Sequence, residues 1–358
     1  MAKSTVFFQA VQNSQDKVLT ADKFKNLIKQ SNLFGDMKKG EIIPIKTHMG
    51  EKGNTGHVDA IIIKQLINQL KAKAVKPFIV ETNVLYQGKR VNAVDHLMLG
   101  AEHGFDPVSL GAPVFIADGL WGENSMDIEI NKKHFKTVTI AKPVMYFDSL
   151  VSVAHVTGHL LTGFAASIKN IGMGLASRTG KLRQHSNIKL KIITDRCTFC
   201  KRCIKQCQVD AIVEHKAKAF IQPDICVGCG KCIAACKFAA IADSYGEDAK
   251  ILSEKMVEYA YGVLLNIKQK VFFNFAVHIT KNCDCMAKDE PTIVNDIGIF
   301  ASIDPVSCDK AAADMIIQSV KGDIFNKVFP GADYYMNQLI YAQEIGLGNM
   351  DYDFVEIK

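Results

Sequence analysis

Short runs of β-branched and other apolar residues alternate along this chain with stretches whose apolar positions recur every three or four residues. The first pattern suits a buried strand and the second one face of a helix. Their alternation predicts an α/β domain around a largely parallel sheet flanked by helices. Strands are expected near Val6 and over 42–45, 77–80, 113–116, 138–140 and 150–153. The clearest helix is 60–70, where Ile62, Ile63, Leu66, Ile67 and Leu70 share a face. Further on the pattern gives a helix over 251–268 and strands over 271–277 and 297–302. Asp304-Pro305 then opens another helix, with Asp as the cap and Pro at the first helical position. Residues 149–168 contain no Asp, Glu, Lys or Arg and are long enough to span a bilayer. His155, Gly158, His159, Gly163 and several Ser and Thr make the stretch too polar for lipid, so a buried strand leading into a loop is the better reading and no membrane partner is expected.

The periodicity is interrupted over 189–243. There Cys197, Cys200, Cys203 and Cys207 read C-x2-C-x2-C-x3-C, and Cys226, Cys229, Cys232 and Cys236 repeat the spacing 29 residues later. Ala211-Ile212 recurs as Ala240-Ile241 at the same offset, as an internal duplication produces. Three thiolates so close can wrap one iron-sulfur cube, and in two-cluster ferredoxins the fourth ligand comes from the other motif. One 4Fe-4S cluster is therefore expected on Cys197, Cys200, Cys203 and Cys236, and a second on Cys226, Cys229, Cys232 and Cys207. The two repeats then cannot fold apart. Structural zinc needs only four ligands in a tetrahedron, and here there are too many thiols for it. Two departures from the usual motif stand out: Gln208 and Lys237 occupy positions where proline normally follows the fourth cysteine, and Thr198-Phe199 replaces a small, Gly-containing pair such as Val227-Gly228. The expected organisation is an α/β domain over 1–188 and 244–358, with a small α+β dicluster ferredoxin-like domain over 189–243 inserted between its halves.

Composition alters this picture little. With 358 residues and 48% apolar content the chain can bury an ordinary core. Its 11 cysteines would suggest disulfides in a secreted protein, but their spacing and the start MAKSTVFFQA point to a reducing cytoplasm. The formal charge of +6 nearly vanishes once each cluster with four thiolates contributes about two negative charges. No basic run carries interleaved aromatics, so nucleic acid is not an expected partner.

In open parallel sheets ligands sit beyond the carboxyl ends of the strands. Four polar loops fall there. KTHMGEKGNTGH carries Lys46, His48, Glu51 and Asn54; ETNVLYQGKR carries Arg90; ADGLWGEN carries Asp118; and HVTGHLLTGFAASIKNIGMGLASRTGK carries His155, His159, Lys169, Asn170 and Arg178. Taken singly each loop reads as surface turn chemistry. Converging on one cleft, they form a site. His48, Glu51, His155, His159 and Lys169 are the candidates for proton transfer and charge stabilisation, and Lys46, Asn54, Arg90, Asp118, Asn170 and Arg178 those for holding a small anion or second cofactor. GMGLAS imitates a phosphate loop only weakly. Cys283-Asp284-Cys285 follows the strand over 271–277 and should reach the same cleft. The pair could take a soft metal completed by His48, His155 or His159, although free buried thiols are the plainer reading. Cys308 reads as core.

The segments KTHMGEKGNTGH, DGLWGEN, HVTGHLLTGFAASIKNIGMGLASRTGK, the cysteine repeats, NCDCMAKDEPTIVNDIGIFASIDPVSCDKA and AQEIGLGNMDYDFVEI together carry a resemblance to the uncharacterised iron-sulfur centre proteins, domain of unknown function 362, over nearly the whole chain. The resemblance implies an α/β domain with an inserted two-cluster domain, and no agreed reaction. HVTGHLLTGFAASIK alone is similar to a segment of the nickel-pincer lactate racemase superfamily. Three functions follow as expectations. The first is an oxidoreductase that passes electrons from the clusters to a small anion or second cofactor, with a ferredoxin or reductase as redox partner. The second is a non-enzymatic electron carrier or maturation partner. The third is a racemase-like metal enzyme whose clusters are structural.

Overall fold

A computed structural model describes residues 3–358 apart from 87, 160, 186–189, 208, 227–231, 233–234, 239, 243–248 and 330–334. Cys229, Gln208, Val227-Gly228 and both limits of the expected insert, Lys189 and Asp243, lie outside the described residues. Eight strands make one sheet: β1 (Ser4–Ala10), β2 (Ile42–Lys46), β3 (Lys76–Glu81), β4 (Val114–Ile116), β5 (Ser149–His155), β6 (Gln269–Ala276), β7 (Gly298–Ser302) and β8 (Tyr352–Glu356). Their order is β8-β1-β7-β6-β5-β2-β3-β4. Strands β6, β5, β2, β3 and β4 run parallel, β7 is antiparallel to both β6 and β1, and β8 runs parallel to β1.

Successive side chains of a strand point to opposite faces, and here each face has its own core. Val271, Phe273 and Phe275 of β6 join Ile43, Ile45 and Ile79 on one side, while Phe272 and Ala276 join Val80, Leu150 and Phe300 on the other. The first face is covered by the helices Lys17–Ser31 and Ala60–Ala72, and Phe24 meets Phe273 and Phe275 edge-on at 4.9 and 5.0 Å. The second is covered by Ala249–Leu264, Pro305–Val320 and Tyr335–Glu344. Asp304 caps Pro305–Val320 by accepting from the amides of Val306 and Ser307, as the sequence pattern requires. Residues 149–168 become the wholly buried β5 and a small hairpin of Thr157–His159 with Gly163–Ala165. Among the described residues no helix is long and apolar enough to cross a membrane.

Two elements differ from expectation. The strand anticipated at 138–140 forms as Thr137–Ala141 but pairs antiparallel with Ser125–Glu129 in a separate ribbon. Val138 and Ile140 already have a partner in the core shared with Ala249–Leu264, where a side chain on Gly262 would collide with Val138. The helix drawn to 268 ends at Leu264, because Lys268 and Gln269 give their amides to the Asp148 carbonyl and turn the chain into β6.

Beside this body the cysteine region forms a small module. Lys191–Ile192 pairs with Ile241–Ala242, and Ile212–His215 with Lys218–Ile221. The sequence repeat is also a repeat of hydrogen bonds. Cys197 N–H reaches Ile193 O as Cys226 N–H reaches Gln222 O; Gln222 N–H reaches Ala211 O as Ile193 N–H reaches Ala240 O. The start of each repeat is thus held by the end of the other. The module's core, with Ile212, Ile221, Ile241 and Cys203 inside, also takes in Leu182 and Leu85 from the large body.

Candidate functional site

After β2 the chain adds β3 and β4 outward on one side and then returns to lay β5 on the other. Sheets with such a reversal bind ligands in the crevice beyond the carboxyl ends of the strands on either side of it, here β2 and β5. Lys46 ends β2 and Glu81 ends β3, and their side chains meet at 2.6 Å. Arg90 bridges Glu81 (3.5 Å) and Glu51 (3.2 Å), and also donates to the Tyr86 hydroxyl. Asn170 accepts from Lys46 Nζ at 2.9 Å and returns its amide to Ser152 Oγ and the Val153 carbonyl. Lys46, Glu51, Glu81 and Arg90 are each at most 2% exposed. Burial draws the Lys46 ammonium down against the pull of Glu81; burial also opposes charge on Arg90, but Tyr86, Glu81 and Glu51 hold the guanidinium protonated. A side chain on Gly174 would come within 2.6 Å of Lys46 Nζ, so the close backbone approach there requires glycine.

Around this network stand neutral rings. Burial first, then Arg90, Lys46 and Lys169, keep His48 well below the ordinary histidine range. Gly50 N–H donates to its Nδ1 at 3.0 Å, leaving the proton on Nε2. Burial likewise holds His57 at about 4 and His159 well below its usual value. His159 Nδ1 accepts from the amides of Leu161 and Thr162. His57 stacks on His103 with centroids 4.8 Å apart, against Gly50.

His155 is different. Its Nδ1 lies 2.9 Å from Asp284 Oδ2 and its Nε2 2.8 Å from the Val277 carbonyl. Both partners accept, so both nitrogens carry protons and the ring is an imidazolium. Burial opposes this, and Asp284 overcomes it, raising His155 while the Asp284 carboxyl is lowered. His155 is thereby committed to fixing Asp284. The residues on either side, Cys283 and Cys285, are half-buried and joined by a disulfide. This corrects the expectation of free buried thiols: their loop is anchored by Glu51 N–H on the Asp284 carbonyl and by Asn54 on the Lys288 carbonyl, which leaves the two sulfurs to meet each other. Lys169 Nζ points at Cys285 Sγ from 3.9 Å. Burial lowers this amine to about 8, with Asp284 opposing and Arg90 and Lys46 adding to the fall.

Beyond β4, Asn83 holds Asp118 through its main-chain N–H and its side-chain amide, both at 2.9 Å. Asp118 Oδ2 and Asn83 Oδ1 are buried without a hydrogen-bond partner among the described residues. Burial pushes Asp118 up, opposed by Lys181, and pushes Lys181 down, opposed by Asp118. Lys181 Nζ donates to Thr82 Oγ1 and to the Ala176 carbonyl (2.8 Å). Arg178 donates to the carbonyls of Val91 and Trp121.

The fold thus brings Lys46, His48, Glu51, Arg90, Asp118, Lys169, Asn170 and Arg178 to one strand-end region. Asn54 instead shapes its own loop, accepting from Gly56 N–H. Lys181 and His96 were not singled out by the sequence reading. His96 is fully buried 3.9 Å from Glu81, and only its place on the inward face of Ala93–Glu102 marks it. Asp309 also went unnoticed: it accepts from the amides of Ser167 and Ile168 at the start of the helix Ser167–Gly172, which carries Lys169 and Asn170, and burial raises it to about 7.

In the module, Cys197, Cys200, Cys203 and Cys236 line one small cavity, open to solvent, whose other walls include Ile192, Ala219, Phe238 and Ile241. Among the described residues no Asp, Glu or His contributes to this wall. Three cysteines of the first repeat and one of the second line the same space, and the donor set is soft, as an iron-sulfur cluster requires. Ala211 N–H donates to Cys207 Sγ at 3.2 Å and Ala240 N–H to Cys236 Sγ at 3.3 Å, the same bond in each repeat. Phe199 holds φ +51° at a turn position glycine would enter without strain. Among the described residues no group of three or more His, Cys, Asp or Glu side chains is drawn together as for a single metal ion.

A mostly parallel α/β body, a charged crevice at its strand switch and a cysteine-lined module define the class of protein. The chain belongs to the family described as domain of unknown function (DUF362), which matches residues 43–314. No curated protein matches the chain. Among solved structures it is similar to a Thermotoga maritima protein from a structural genomics programme, at 12% identity over 84% of this chain and 59% of that one, with a TM-score of 0.45. It is also similar to the lactate racemase apoprotein of Thermoanaerobacterium thermosaccharolyticum, at 14% identity over 71% of this chain and 49% of that one, with a TM-score of 0.34. The chain therefore spans less than two thirds of the length of either structure.

Proposed function

We propose that this protein carries two 4Fe-4S clusters and passes electrons to a small anion bound in the crevice beyond β2 and β5. The carrying observation is the cavity lined jointly by Cys197, Cys200, Cys203 and Cys236, which unites ligands from both repeats. By the same crossing, Cys226, Cys229, Cys232 and Cys207 would hold the second cluster. When bound, the clusters supply one-electron chemistry, fed by a redox partner of the ferredoxin or reductase kind.

The chain's own residues prepare the crevice for a carboxylate or phosphate. The cations Lys46, Arg90, Lys169, Arg178 and Lys181 outnumber the carboxylates Glu51, Glu81 and Asp118, since Asp284 is neutralised by His155. Lys46 and Arg90 are occupied by their carboxylates. Among the described residues Lys169 makes a long contact to sulfur, and an anion would relieve its repulsion from Arg90 and Lys46. Neutral His48, with its proton on Nε2, and Asp118, raised by burial, are placed to move protons.

Anaerobic purification with iron, sulfide and trace-metal analysis tests the reading. About eight iron and eight sulfide per chain, with electron paramagnetic resonance signals on reduction, are expected. Zinc in place of iron would sink it. Stoichiometric nickel would move the assignment towards the racemase-like metal enzyme.

A further inference from the structure

We propose that Cys283 and Cys285 form a two-electron dithiol–disulfide couple that serves the anion pocket of the crevice. Four observations carry this. The two sulfurs are bonded, at a Cα separation of 5.4 Å, with one residue between them. So short a loop restrains the unfolded chain little, so the bond gives little stability in return for its formation. The pair is half-buried where a small reactant can reach it. Its place is fixed by Asp284, which is clamped through its side chain by His155 and through its carbonyl by Glu51 N–H.

The fourth observation is Lys169, whose ammonium faces Cys285 Sγ from 3.9 Å. A cation beside a sulfur stabilises the thiolate that leaves when a disulfide breaks, until a proton reaches it. On reduction two electrons enter and the S–S bond breaks, leaving each sulfur with a full electron pair. Lys169 gives a proton to Cys285, solvent gives one to Cys283, and Lys169 regains its proton from solvent. In the reverse direction the dithiol releases two electrons and two protons to an oxidised anion in the pocket. The electrons come singly from a low-potential donor protein. In this respect alone the couple rests on the two-cluster reading, which provides two one-electron carriers on the same chain.

The tryptic peptide 282–288 contains both cysteines and no other, which makes the couple directly readable. The cluster-loaded full chain, kept free of oxygen, is treated with iodoacetamide before and after exposure to reduced methyl viologen and then digested. We expect an unlabelled peptide before reduction, a doubly labelled one after it, and return of the bonded form on mild oxidation. In coulometric titration the wild type should take up about four electron equivalents and the Cys283→Ser/Cys285→Ser chain about two, at equal iron content. Equal uptake by the two proteins overturns the couple. So does a peptide that resists reduction, one that never re-forms the bond, or a zinc or nickel ion lost along with the two cysteines. A chain that lacks clusters but shows reversible labelling with dithiothreitol keeps the couple and removes the two-cluster reading.

Discussion

The cysteine module and the charged crevice use the same device, polar groups gathered inside a protein, and complete it in opposite ways. In the crevice three buried charges have protein partners: Lys46 has Glu81, Arg90 has Glu51 and Glu81, and His155 has Asp284. In the module the four sulfurs that share a cavity are arranged around space. Its core is also thin, and small cores seldom stand alone without a metal or disulfide. On the proposed two-cluster function the module would be held together by what it binds, and the crevice by its own ion pairs. A binding site that satisfies its own charges can remain folded while its ligand comes and goes.

The largest expected effect lies in the module. Replacing Cys236 with Ser removes the proposed ligand that crosses between repeats, and iron should fall from about eight to about four per chain or fewer. The large body should keep its cooperative melt. Full iron in Cys236→Ser would break the crossed arrangement. Next comes Arg90→Met, which leaves Glu51 and Glu81 buried without their cation. Breaking one side of a buried pair costs about 3–5 kcal/mol, readable by urea denaturation. A loss within about 1 kcal/mol would show that water reaches these charges and that the crevice does not hold itself together.

Acid comes third. His57 and His185 are held by burial at about 4, so the folded state keeps them neutral where the unfolded chain would protonate them near 6.5. Stability should fall as pH drops from about 6.5 to about 4, by roughly a few kcal/mol for the two together. His155 has the opposite sign: raised by Asp284, it contributes fully below the unfolded histidine value, and that contribution is lost as pH rises through its folded value. Asp284, lowered in the fold, contributes above its unfolded value and is lost in stronger acid. Thermal melts between pH 4 and 7 should therefore be flatter for His57→Gln than for the wild type.

A smaller effect is expected from Lys169→Gln, which should weaken binding of oxalate or inorganic phosphate about tenfold, or about 1.4 kcal/mol, without altering the melt. Calorimetric titration reads it, and unchanged affinity would place the anion elsewhere. The smallest concerns Lys237, exposed beside Cys236. A cation there favours the more negative reduced cluster, so Lys237→Ala should lower one midpoint potential by tens of millivolts, on the order of one tenfold step for a single electron.

The two regions also differed in how far they could be read in advance. The spacing of the cysteines is local: a displacement of 29 residues was enough to expect crossed cluster ligands, and Cys236 lines one cavity with Cys197, Cys200 and Cys203. The buried strands were equally visible, since Ile43, Ile79, Val151 and Val271 lie in apolar runs. The ribbon Ser125–Glu129 and the edge strand β8 were not. Their mixture of charged and apolar residues, as in YDFVE, leaves much of each strand exposed, so little apolar signal remains. In the crevice the residue types were visible but their partners were not. That Lys46 takes Glu81, or His155 takes Asp284, depends on which strands lie side by side, and composition says nothing about strand order. The sulfur pair was likewise visible, and its bond was not.

Leu85 packs into the core of the module, and Arg90, five residues further on, ties Glu51 to Glu81. A fully extended chain advances at most about 3.6 Å per residue, so these two anchor points are separated by no more than about 18 Å along the backbone. On the proposed function that reach would limit the thickness of protein an electron has to cross between the two regions, and an insertion between residues 85 and 90 would relax the limit without touching a single cysteine or charge.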